Sequence, residues 1–207
     1  MVKNRITHLK IDLRMSKVIF LDHDGVICLS NNWGGRTKKW SKYRSANPDS
    51  SKEIKYAPVS VRFDDFDTKA VKVLNEILEE TGAEIVVSSD WKLHATLEEL
   101  GEYYEQQGII KKPIALTPNI SQCKDYESNF IWSPRWELEQ IRTIEIKQYL
   151  HDNPEFIQWV SIDDLNMGKI GEPWKDIWAI NNFVLTPKSN EGIKQSGVKE
   201  KILNYLL

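Results

Sequence analysis

Long apolar runs are missing from this chain. The longest, such as Val18-Ile19-Phe20-Leu21, cover only a few residues, against the roughly 20 that a membrane-spanning helix needs. No helical membrane span is expected. Cysteine is nearly absent too: Cys28 and Cys123 stand alone with no CxxC, which leaves neither a disulfide framework nor a zinc ribbon. No basic start leads into an apolar stretch and a small-residue cleavage site, so the expected compartment is a reducing cytoplasm. His8, His23, His94 and His151 lack metal-site spacing. The sequence has no GxxxxGKS or GxxxxGKT loop and no kinase-type Gly-rich motif, which disfavours a nucleotide-driven kinase. It also lacks GxGxxG after its first strand, which disfavours a dinucleotide-binding oxidoreductase.

A net charge of one sign is lacking as well. The 28 basic and 30 acidic residues leave a formal −2. That balance hides an asymmetry. Residues 31–62 hold Arg36, Lys38, Lys39, Lys42, Arg44, Lys52, Lys55 and Arg62 against only Asp49 and Glu53. The segment therefore carries +6 and the rest of the chain −8, a local reversal that bears on the substrate.

What is present is ordinary globular composition, 41% hydrophobic and 28% charged over 207 residues, enough for one domain with a modest insertion. Residues 1–14 alternate weakly ahead of Met15; they read as a leader or an extra strand and receive no function. From residue 15 the pattern is α/β. Val18–Leu21 is a continuous apolar run of strand length, and Glu84–Val87, Gln158–Ile162 and Phe183–Leu185 also read as strands, with a shorter one at Pro113–Leu116. Helices are expected over a segment capped by Asp67 and ended by Gly82, over Trp91–Gln107, over Arg135–Leu150, and at the C terminus around Val198, Ile202, Leu203 and Leu206. Residues 30–63 are polar and basic with no sustained period, and residues 117–134 read as a long loop. Alternating strands and helices imply a Rossmann-like three-layer sandwich, a central parallel sheet with helices on both faces and a small insertion after the first strand.

Ligands of such sheets bind beyond the carboxyl ends of the strands. Three strands stop there at polar residues: Asp22 and Asp24, Ser88 and Ser89, Asp163 and Asp164. Each alone is also what an ordinary turn or helix cap looks like. Together they describe a site. Carboxylates converging at one edge repel each other unless a hard cation joins them, and oxygen ligands suit Mg²⁺. An ionised Asp22 would then serve as nucleophile toward phosphorus, with Asp24 two residues on as acid and base. Gly25 would allow the sharp turn between them and the following chain. Ser88 and Ser89 offer phosphate ligands, and Arg142 or Lys147 the cation that balances transition-state charge.

These segments resemble the haloacid dehalogenase-like (HAD) phosphohydrolase superfamily. Val18-Ile19-Phe20-Leu21-Asp22-His23-Asp24-Gly25-Val26 matches its first motif, Glu84-Ile85-Val86-Val87-Ser88 its second, and Trp159-Val160-Ser161-Ile162-Asp163-Asp164 its fourth. The resemblance implies a HAD-like catalytic domain over residues 15–207, with a cap insertion at about 30–63. It makes Asp22 the nucleophile of an aspartyl-phosphate and Asp24 the general acid/base. Ser88 becomes the phosphate ligand, and Asp163, with Asp164, the Mg²⁺ ligand. Asp22 and the Asp24 carbonyl complete the protein's share of that shell. Arg142-Thr143-Ile144-Glu145-Ile146 and Ser89-Asp90-Trp91-Lys92 are similar to segments of the HAD domains of RNA-repair proteins and of polynucleotide kinase-phosphatases, with Lys92 where an Arg is usual. Dehalogenase relatives lack the second Asp; mutase chemistry stays open.

The expected substrate follows from residues 31–62, where the basic residues are interleaved with Trp33, Trp40, Tyr43 and Tyr56. Basic groups pair phosphates and aromatic rings stack bases, so a nucleic-acid end or nucleotide is expected. The competing reading is a solvated loop whose aromatics pack on the core. Phe130, Trp132 and Trp136 around Pro134 and Arg135 read as a loop anchor, and Cys28 as a small core residue.

Overall fold

The computed structural model describes residues 16–49, 53–120, 138–168 and 180–207. The expected leader at residues 1–14, Lys52, Cys123 and the Phe130/Trp132/Trp136 cluster lie outside the described residues.

Five strands form one all-parallel sheet: β1 (Lys17–Leu21), β2 (Glu84–Val87), β3 (Ala115–Leu116), β4 (Gln158–Asp163) and β5 (Phe183–Leu185), in the order β3-β2-β1-β4-β5. The α/β expectation holds. β1 lies in the centre and is buried on both faces, which is why it reads as an unbroken apolar run. Ile19 and Leu21 face one cluster with Leu74 and Ile77, Tyr103 and Tyr104, and Ile202 and Leu206. Val18 and Phe20 face a second with Ile146 and Met167. The first cluster draws on helices α3 (Thr68–Thr81), α4 (Leu97–Gln106) and α6 (Val198–Leu206), and the second on α5 (Leu138–Asp152).

Asp67 caps α3, its carboxylate accepting from Lys69 N and Ala70 N, and Gly82 closes it at φ +70°. The helix expected over Trp91–Gln107 is two pieces. Asp90–Leu93 is a short 3₁₀ turn, and α4 begins only after Thr96, which forms a capping box with Glu99. Thr96-x-x-Glu99 satisfies two backbone donors reciprocally, so the chain restarts there.

The insertion is more ordered than its polarity suggests. Gly35–Ala46 forms helix α1, and Val59–Arg62 a single turn, α2, that lies near it. α1 holds five basic residues and no acidic one, and buries none of its residues. A helix with no fully buried residue needs no apolar stripe, which is why the 3.6-residue period is missing.

Candidate active site

The register of the sheet aligns the site. β1 pairs with β2 through Leu21 and Val87, and with β4 through Leu21 and Ile162. The next residue along each strand is Ser88 on one side of Asp22 and Asp163 on the other. Ser88 N donates to Leu21 O at 2.9 Å and Asp22 N to Ile162 O at 3.1 Å. Neighbouring strands run ~4.8 Å apart, so three polar residues form one row at the carboxyl edge.

Asp22, Asp163 and Asp164 each bring an oxygen within 4.8 Å of the others. Asp22 and Asp163 are buried and Asp164 is half-buried. Burial raises the pKa of Asp22, with the Arg142 charge working against it. Burial and then the charge of Asp22 hold Asp163 well above the carboxylate range, and the same two causes push Asp164 up to about 6. Burial disfavours the charged forms of these carboxylates, and as clustered hard oxygen donors they fit a divalent cation such as Mg²⁺. Gly25 makes the arrangement possible: it sits at φ +72°, and a Cβ there would run into the Asp164 carboxylate.

Arg142 reaches this edge from α5. Its Nη1 donates to Asp22 Oδ1 at 3.0 Å, to Asp163 Oδ2 at 3.3 Å and to the Ser88 carbonyl. Its Nη2 donates to Asp90 Oδ1 at 3.2 Å. Burial opposes its charge, but the carboxylates of Asp22 and Asp163 outweigh that and keep it protonated. Lys147 is half-buried, and burial lowers its pKa. Among the described residues, the cation joined to Asp22 and Asp163 is Arg142.

The two serines are bonded differently. The Ser89 hydroxyl accepts from Trp91 N, which caps the 3₁₀ turn, and it also hydrogen-bonds with the Asp22 carboxylate. The Ser88 hydroxyl is buried and has no hydrogen-bond partner among the described residues. A buried hydroxyl left unpaired is costly unless a ligand completes it.

Asp24 stands apart from the carboxylate trio and is exposed. Its Oδ2 accepts from Trp91 Nε1 at 2.9 Å. Trp91 is held by rings on several sides: Phe63 at 4.2 Å and 11°, Phe66 at 5.4 Å, and His23 at 4.5 Å. His23 Nε2 meets Tyr104 OH at 2.6 Å. Burial, then the Arg142 charge, lowers its pKa to about 3, so the imidazole is neutral. Cys28 is fully buried; burial first, then the neighbouring Asp24 carboxylate, raises the pKa of its thiol. Sequence reasoning gives Trp91 no role beyond its place in the Ser89-Asp90-Trp91-Lys92 segment and at the start of an expected helix.

Lys92 is turned inward rather than toward a polyanion. Its Nζ meets Glu145 Oε2 at 2.5 Å and Thr117 Oγ1 at 2.9 Å. Glu145 Oε1 in turn accepts from Ile120 N at 2.9 Å. The pair ties α5 to the loops after β2 and β3 one turn from Arg142. Elsewhere in the basic segment, Arg62 is buried against Glu99, Lys39 pairs with Asp65 at 2.7 Å and Lys55 with Glu53 at 2.8 Å. Arg36, Lys38, Lys42 and Arg44 remain exposed. Beside Asp24 a cavity of about 410 Å³ opens between Trp91 and the first turn of α1.

The profile of one protein family, described as the HAD domain in Swiss Army Knife RNA repair proteins, matches residues 18–198. The chain belongs to this family. No curated protein and no solved structure matches it. Membership supports a HAD-type phosphohydrolase in general terms, and the acidic trio fits the Mg²⁺ that HAD domains generally use. Among the described residues, no helix of this HAD domain is long and apolar enough to cross a membrane.

Proposed function

We propose that this HAD domain is a Mg²⁺-dependent phosphomonoesterase that works through an aspartyl-phosphate on a nucleic-acid end or a nucleotide. The observation that carries the reading is the row of Asp22, Ser88 and Asp163 with the Arg142 guanidinium bonded to all three.

In this reading Asp22 attacks phosphorus, the bond to the leaving oxygen breaks, and Asp24 gives that oxygen its proton. Asp24 then takes a proton from the water that attacks the acyl phosphate, releasing phosphate and restoring Asp22. Arg142 and the Ser88 hydroxyl hold the phosphoryl oxygens. Mg²⁺, held by Asp22, Asp163 and Asp164, supplies further charge neutralisation when bound. A silent binding module is disfavoured, because a decayed site would have lost a member of this set.

The substrate class is supported by α1, whose Arg36, Lys38, Lys42 and Arg44 are exposed without an acidic neighbour on the helix. The test is phosphate release with and without Mg²⁺ from an aryl phosphate, mononucleotides, and oligonucleotides phosphorylated at either end. Mg²⁺-dependent release favouring an oligonucleotide end, weakening steeply with added salt, is expected. Release from small phosphoesters alone would leave a small-molecule phosphatase, and Mg²⁺ binding without release from any of them would favour the binding module.

Trp91 provides a second check. Trp91→Phe keeps the ring stack and removes the N–H that holds Asp24. Phosphate esters of sugar alcohols, whose leaving oxygen needs a proton, should lose about tenfold in rate. An aryl phosphate with an acidic phenol should lose far less. Equal losses on both would mean that Trp91 does not act through Asp24.

A further inference from the structure

We propose that the cavity beside Asp24 seats the leaving group, and that this group is a terminal nucleoside whose base lies on Trp33. The inference rests on the phosphatase reading and names the part of the substrate that Asp24 must serve. An acid that protonates a leaving oxygen must come within hydrogen-bond reach of it, about 3 Å. Whatever that oxygen carries must then fill open space next to Asp24. The cavity of about 410 Å³ adjoins that residue, with Trp33, Arg36, Thr37, Asp64 and Trp91 in its walls.

Trp33 is suited to a flat aromatic ligand. It is 48% exposed, yet its Nε1 donates to Cys28 O at 3.2 Å, so the ring is held rather than left to swing. An oriented, accessible indole face is a stacking surface. Trp91, the other indole in the wall, is already stacked on Phe63 and bonded to Asp24. Trp40 and Tyr43, further along α1, stack on each other at 5.9 Å and 17°, and Arg44 lies over Trp40.

The wall that carries Arg36 is anchored as well. Gly34 N donates to Asp64 Oδ2 at 3.1 Å and Arg36 N to Asp64 Oδ1 at 2.5 Å, so a carboxylate just past the insertion holds the first turn of α1 beside the cavity. The exposed Arg36 side chain there is suited to the next phosphodiester.

The test uses oligonucleotides phosphorylated at the preferred end, with a terminal nucleotide that either carries its base or is abasic. The base-bearing end should be favoured by about 5- to 150-fold in kcat/KM. Trp33→Ala should bring that ratio close to one, and Trp33→Phe, which keeps an aromatic ring, should retain most of it. A general folding defect would lower both substrates together and preserve the ratio. Equal rates on the two ends in the wild type, or an unchanged ratio in a folded Trp33→Ala protein, would overturn the proposal and leave the phosphatase reading standing. Release from small phosphoesters alone would also overturn it. No release from any substrate would remove the phosphatase reading itself, and the proposal with it.

Discussion

Asp22→Asn should lower phosphate release by on the order of a thousandfold or more while leaving the protein folded. The amide keeps the shape of the side chain and can still accept from Arg142, but it is no nucleophile toward phosphorus, and losses of a nucleophile are of at least that size. Stability moves the other way. Burial is the largest influence on Asp22, and its pKa is raised. A group raised in the folded state contributes stability below its ordinary titration range, near pH 4, and loses it as pH climbs through the folded value. Without metal, the wild type therefore loses stability as pH climbs through that range, and the neutral amide does not. Thermal unfolding in chelator at pH 7 should show Asp22→Asn at least as stable as wild type, with the difference shrinking below pH 4. Retained turnover would remove Asp22 as nucleophile. A strongly destabilised variant would contradict the electrostatic account.

Arg142→Ala should have the largest effect on the fold. The guanidinium bonds Asp22, Asp163, Asp90 and the Ser88 carbonyl, and its removal leaves buried carboxylates facing one another without counter-charge. Breaking a buried ion pair from one side costs about 3–5 kcal/mol, which for a chain of this size is roughly 6–20 °C in Tm. The deficit should grow as pH rises, because Asp163 and Asp164 both titrate above the ordinary range. It should shrink near pH 4, and Mg²⁺ should recover part of it at pH 7 by binding the folded state. Arg142→Lys should recover part of the stability but little activity, since a point charge cannot bridge the row. Calorimetry of the three proteins at pH 4 and pH 7, with and without Mg²⁺, checks the stabilities, and phosphate release by Arg142→Lys checks the activity. A pH-independent deficit in Arg142→Ala would point to lost packing instead.

The fold and the row of polar strand ends were legible from the sequence for the same reason. A strand buried on both faces is mostly apolar, and its polar stop is a local feature. Val18–Leu21 followed by Asp22, Glu84–Val87 followed by Ser88, and Gln158–Ile162 followed by Asp163 therefore placed β1, β2 and β4 and the residues at their ends. The restart of α4 was also written locally, in Thr96 and Glu99, and was missed because the apolar spacing from Trp91 onward runs through it.

Other features belong to long-range geometry. Arg142 and Lys147 share α5 five residues apart, about 140° around the helix, and only the packing of that helix on the sheet decides which one meets Asp22. Lys92 turns inward because Glu145, distant in sequence, lies against it in a water-poor setting. α1 lacks an apolar stripe because none of its residues is fully buried, and the carboxylate bonded to its first turn comes from Asp64. Trp91 holds Asp24 only once Phe63, Phe66 and His23 close around its ring. The sequence by itself determined which residues stand at the carboxyl edge, because burial and strand period act over a few residues. The tertiary structure alone decided which charges meet there, because a contact between residues far apart in the chain exists only after the layers have packed.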